Sequence, residues 1–175
     1  MNSFYSNEGE LIKSFEISKD FENDGGINGD TLKAKIKEVI SDSSQRDKII
    51  YIYYLLDNKK FKYPSGDESD VLYIGKTIGE KKGEMFSVSD RFVHLKTGKD
   101  YKQNITLGIF YKKGCKIGLD IFRVDDCNKK ETELRYRFLN QYGSLPIADG
   151  SSYSEAKSKF VSDSDDEAIE KENNL

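Results

Sequence analysis

The chain reads as an α/β (α+β) domain: a small three-stranded antiparallel sheet flanked by helices, preceded by an N-terminal helical extension. Three observations predict this. Two short runs rich in tyrosine and β-branched residues, Tyr51-Ile52-Tyr53-Tyr54-Leu55 and Leu72-Tyr73-Ile74-Gly75-Lys76-Thr77, lie about twenty residues apart. A third alternating run covers 116–124. Apolar residues recur at helical spacing over 31–40 and over 128–142.

The elements follow in order. Residues 1–28 mix polar residues with scattered Phe and Ile, and Asp24-Gly25-Gly26-Ile27-Asn28-Gly29 is a turn or linker signal. Asp30 caps a helix over Thr31–Ile40, with Leu32, Ile36, Val39 and Ile40 at helical spacing. Lys48 to Leu56 is the first strand, because β-branched and aromatic residues dominate it without a Gly or Pro. Asp57 to Asp70 is a polar connection, and Val71 to Gly75 is the second strand of a hairpin. Residues 79–87 form an open loop. Ser87 or Ser89 caps a helix to about Thr97, on which Arg91 and His94, three apart, share a face. Residues 105–112 form a short helix, Lys113-Gly114 a turn and Lys116 to Val124 the third strand. Asn128 then caps a helix to about Tyr142 whose inward face is Leu134, Phe138, Leu139 and Tyr142. Gly143 ends it. The Ser-, Asp- and Glu-rich tail from Gly150 is expected to be disordered.

Composition narrows the classes. One domain is the default for 175 residues. The chain is 36% hydrophobic and 12% aromatic, enough for one core rich in Tyr and Phe. No apolar run approaches the roughly 18 residues a membrane helix needs, and the first eight residues lack a secretion signal. A cytoplasmic protein with no membrane partner is expected. Cys115 and Cys127 are expected as free thiols, since their spacing with His94 does not fit a zinc site. Charge is unevenly spread. Residues 1–47 carry 6 basic and 10 acidic side chains, net −4; residues 48–149 carry 19 and 14, net +5; residues 150–175 carry 3 and 7, net −4. The tyrosine strands therefore sit in the basic segment, which suits a phosphate backbone. These three spans are the expected extension, domain and tail.

Two phenols, a lysine and an arginine on neighbouring strands and a helix suit the binding and cleavage of a phosphodiester. With the motifs in this order, residues 48–149 resemble the GIY-YIG nuclease family. Tyr51-Ile52-Tyr53-Tyr54-Leu55 matches the first motif with Tyr51 in place of Gly, and Tyr73-Ile74-Gly75 matches the second intact. Lys76, Arg91 and His94 match the residues that follow. On the last helix Phe138, Leu139, Gly143, Leu145 and Pro146 fall into the family frame. That frame puts Arg135 where a metal-binding Glu belongs and Asp149 near the closing Asn. Glu131, one turn before Arg135 on the same face, is the favoured substitute; Glu133 is nearer in sequence but points about 200° away. Glu131 would also complete a capping box with Asn128.

The resemblance implies an endonuclease that hydrolyses DNA with Mg²⁺ or Mn²⁺. Tyr53 would position or deprotonate the attacking water, with Lys76 and Arg91 lowering its pKa. Tyr73 would hydrogen-bond the phosphate or water, Arg91 would neutralise developing charge, and His94 would shuttle a proton or contact phosphate. Tyr51 and Tyr54 are the alternative functional tyrosines. Tyr53 and Tyr73 equally suit ordinary cross-strand packing. Arg135 in the carboxylate's place leaves a second function open: a GIY-YIG-fold regulator that binds nucleic acid or protein without cutting. A small interaction module is a third. DNA and RNA are not distinguished by these residues.

Overall fold

A computed structural model describes residues 4–5, 8–18, 29–39, 48–77, 107, 109–111 and 113–149. In chain order the elements are β1 (Glu10–Ile17), α1 (Gly29–Val39), β2 (Ile49–Leu55), β3 (Phe61–Lys62), β4 (Glu68–Ser69), β5 (Val71–Lys76), β6 (Ile117–Arg123) and α2 (Cys127–Tyr142). The architecture is mixed α/β, with an antiparallel sheet ordered β1-β6-β2-β5.

Among the described residues the sheet has four strands, where the sequence predicts three. The additional one is β1, from a stretch that the sequence reading leaves unassigned and whose alternation is confined to Phe15-Glu16-Ile17. It is an edge strand exposed along most of its length. It pairs with β6 from Glu10↔Arg123 to Ile17↔Ile117, with a bulge between Leu11 and Lys13. Ion pairs reinforce that seam, Arg123–Glu10 at 2.9 Å and Lys116–Glu16 at 3.6 Å. Residues 10–17 of the N-terminal segment thus add an edge strand to the sheet.

The expected hairpin is present: β2 pairs β5 with Tyr53 opposite Tyr73 and Tyr51 opposite Gly75. A bulge at Leu72 offsets the register beyond Tyr53. The connection between the strands is not simply polar. It contains the β3-β4 ribbon and the buried Tyr63. The Tyr63 hydroxyl donates to the Val71 carbonyl at 3.1 Å, and its ring stands 5.2 Å from Phe138. Burial pushes that phenol up to about 12.

Both faces of the sheet are covered. Strand alternation sends Ile49, Tyr51, Tyr53 and Leu55 to one face, where Leu32 and Ile36 of α1 and Leu107 join them. Ile50, Ile52 and Ile74 go to the other, beneath Leu134, Phe138 and Tyr142 of α2. Helix α2 differs from expectation at its start. Asp126, not Asn128, is the N-cap: its carboxylate accepts from the backbone N–H of Asn128 at 2.8 Å and of Lys129 at 3.1 Å. Asp126 has the extended backbone a cap needs, while Asn128 is already helical. Helix α1 likewise begins at Gly29, which places Asp30 inside its first turn. Gly143 closes α2 at φ 74°, and its N–H donates to Leu139. The helix expected over 87–97 and the acidic tail lie outside the described residues. No helix among the described residues is long and apolar enough to cross a membrane.

Candidate functional site

The tyrosines come together. The Tyr51 ring centroid is 6.0 Å from that of Tyr53 and 6.0 Å from that of Tyr73. Gly75 makes this possible. A Cβ built there would stand 2.6 Å from both Tyr51 Cζ and Tyr73 Cε1. The glycine of the Tyr-Ile-Gly motif is thus required by the two rings lying over it. Tyr54 lies on the opposite face, as alternation demands.

The space around these phenols is filled, so they line no open phosphate site. Tyr51 and Tyr53 are fully buried, and Tyr73 is 7% exposed. Tyr51 occupies the place of a glycine in the motif, and its ring takes the space above Gly75 that a small residue would leave open.

A second set forms at the far end of β5. Lys76 Nζ sits 3.0 Å from Glu131 Oε2, and both side chains are largely buried. One turn earlier, Cys127 Sγ donates to the Thr77 carbonyl at 3.4 Å and fastens the start of α2 to the end of β5. Glu131 is therefore held by a strand residue, and the capping box with Asn128 is not formed. Glu133 points away: it is exposed and pairs with Lys130 at 2.9 Å. Glu131 is thus buried on the inner side of α2 and Glu133 exposed on the outer. Lys76 follows Ile74 towards the α2 face, so the sheet stands between the Lys76–Glu131 pair and the tyrosine rings.

The two departures from the family frame meet each other. Arg135 donates to Asp149 Oδ1 at 2.9 Å, and Asp149 is nearly fully buried. The segment carrying Asp149 runs along β5, where the Ala148 N–H donates to the Leu72 carbonyl at 2.9 Å. This ion pair ties the middle of α2 to the sheet edge. Arg91 and His94 lie outside the described residues. Neither Cys115 nor Cys127 is in a disulfide.

A divalent cation would find one carboxylate here. No group of three His, Cys, Asp or Glu close enough to hold a metal occurs among the described residues. Mg²⁺ keeps several waters and binds through one or two carboxylates, so Glu131 alone fits it in type. The structure also contains a buried carboxylate that motif reading passes over, Asp120. Its sequence signal is a charged residue inside the apolar strand Leu119-Asp120-Ile121. Comparison of the chain with family models, with curated proteins and with solved structures returned no match.

Proposed function

We propose that the chain is a Mg²⁺-dependent endonuclease that hydrolyses DNA phosphodiester bonds through a GIY-YIG-type site. The observation that carries this reading is the Lys76–Glu131 contact at 3.0 Å. It joins the residue after the Tyr-Ile-Gly motif to the carboxylate one turn before the family's Glu position. Such a carboxylate is an oxygen ligand for Mg²⁺, which when bound polarises the phosphate and steadies the leaving oxygen. Lys76 supplies positive charge to a phosphate oxygen at the same place. Tyr73 and the other clustered phenols lie across the sheet from this pair, so on this reading they pack the fold and the pair meets the phosphate. Arg91 neutralises developing charge, and His94 shuttles a proton or contacts phosphate. The basic middle segment draws the nucleic acid.

A second reading is favoured by a specific observation: Tyr51 fills the space over Gly75, and Tyr53 is fully buried beneath the α1 side of the sheet. On that reading the fold binds nucleic acid, or a protein, without cutting. Supercoiled plasmid incubated with the purified chain separates the two. Nicking with Mg²⁺, lost in Glu131→Gln and Arg91→Ala while binding persists, supports the nuclease. Binding without nicking across plasmid, single-stranded and branched DNA supports the regulator.

A further inference from the structure

We propose that Cys115 and Lys59 form a peroxide-driven modification site, where the thiol and the amine join in a reversible sulfenamide crosslink. Lys59 Nζ donates to Cys115 Sγ at 3.8 Å, across 56 positions of sequence. The two residues sit on neighbouring turns whose backbones are fixed. Asp57 and Asn58 both have positive φ, 59° and 57°, and the Lys59 N–H donates to the Leu56 carbonyl at 3.3 Å. This is a tight turn of the I′ class, and it sets where Lys59 leaves β2. Asp and Asn are among the non-glycine residues that best tolerate this backbone. On the other side Gly114, at φ 76°, donates to the Tyr111 carbonyl and Cys115 to the Phe110 carbonyl, each at 3.0 Å. The turns are also joined directly, since the Leu56 N–H donates to the Lys116 carbonyl at 3.1 Å. Phe61 and Phe110 close the same seam, with ring centroids 5.2 Å apart.

Sulfur and nitrogen therefore start close together on a rigid frame, and only the flexible lysine stem has to move for them to bond. Cys115 is half-buried, and Lys59 is exposed. A partly exposed cysteine beside a cation is the setting in which thiols react. Cys127 is the internal contrast: it is buried and its Sγ donates to the Thr77 carbonyl.

The chemistry takes one hydrogen peroxide. The Cys115 sulfur attacks one peroxide oxygen, and the O–O bond breaks. The departing hydroxide takes the thiol proton and leaves as water. Sulfur is oxidised by two electrons to the sulfenic acid while the peroxide is reduced. Lys59, as the neutral amine, then attacks sulfur. The S–N bond forms, the S–O bond breaks, and the second hydroxide leaves as water with a proton from nitrogen. A thiol such as dithiothreitol reverses the product by attacking sulfur and releasing the amine. The bond ties the turn after β2 to the start of β6. Leu55 pairs with Ile117 while Ile50 pairs with Lys76, so the site lies at the opposite end of β2 from the Lys76–Glu131 pair. The inference is independent of the phosphodiester reading.

The test treats the folded full chain with hydrogen peroxide, quenches with catalase and maps a non-reducing digest by mass spectrometry. A linked pair of peptides bearing Lys59 and Cys115 is expected, about 2 Da lighter than their sum. It should rise with peroxide dose and vanish on adding dithiothreitol. Lys59→Arg keeps the charge at an exposed position and is safe for the fold. It should lose the linked pair and carry Cys115 on to the sulfinic acid. Lys60→Arg should keep the pair. No linked pair in the wild type, linkage of Cys115 to Lys60, Lys113 or Lys116 instead, or sulfinic acid in equal yield with and without Lys59 would overturn the proposal.

Discussion

At the scale of single residues, the tyrosine cluster depends on one missing side chain. Gly75 lies opposite Tyr51 on β2 and two residues beyond Tyr73 on its own strand. A methyl group there meets two fully packed rings at 2.6 Å. Overpacking of this kind costs about 1–3 kcal/mol. Gly75→Ala is expected to lower unfolding free energy by that amount in urea titrations. Tyr51→Leu on the same background should recover part of the loss, because Cζ and the hydroxyl are the atoms struck. Additive losses in the double variant would show that the two positions do not share the space. The same geometry explains why the motif letters were readable while the exposure of the site was not. Alternation along β2 sends Tyr51 and Tyr53 to one face. Nothing in the letters showed that α1 and Leu107 would cover that face.

At the scale of elements, the periodic segments were legible and the edge was not. Strands β2, β5 and β6 and helix α2 carry dense apolar patterns and lie within a residue or so of their expected bounds. Strand β1, Glu-Leu-Ile-Lys-Ser-Phe-Glu-Ile, buries only Ile17 fully. Its position comes from backbone pairing with β6 and from ion pairs with residues a hundred or more positions away, information no local window holds. The start of α2 is a smaller case. Asp126 and Asn128 are both good cap residues, and only the backbone decides between them. Asp126→Ala is expected to cost about 1 kcal/mol, whereas Asn128→Ala should stay within roughly 0.5 kcal/mol, since it removes no cap. Denaturant midpoints of the two variants check this directly, and a reversed order would return the cap to Asn128.

At the scale of the whole molecule, the ion pairs Arg135–Asp149 and Lys76–Glu131 tie α2 to β5 and the segment beside it, and each includes a residue the motif frame singled out. Arg135–Asp149 fastens the helix to the segment along the β5 edge, and Lys76–Glu131 fastens it to the end of β5. The first has an evident structural use. The second is either another clamp or the working part of a phosphodiester site, and stability and activity respond differently to its removal. Lys76→Met leaves a largely buried carboxylate without its cation, which costs roughly 3 kcal/mol. Lys76→Met with Glu131→Leu removes both charges and fills the space with apolar atoms. That exchange is close to neutral for similar pairs, so the double variant should regain most of the lost stability. A clamp alone predicts that plasmid nicking with Mg²⁺ returns with the fold. A site for cation and phosphate predicts a stable double variant that binds DNA and does not nick it. The expected outcome is the latter, read as a thermal midpoint within a few degrees of wild type together with supercoiled plasmid left intact. A double variant that nicks at the wild-type rate would reduce the pair to scaffolding and move the search for chemistry to other residues.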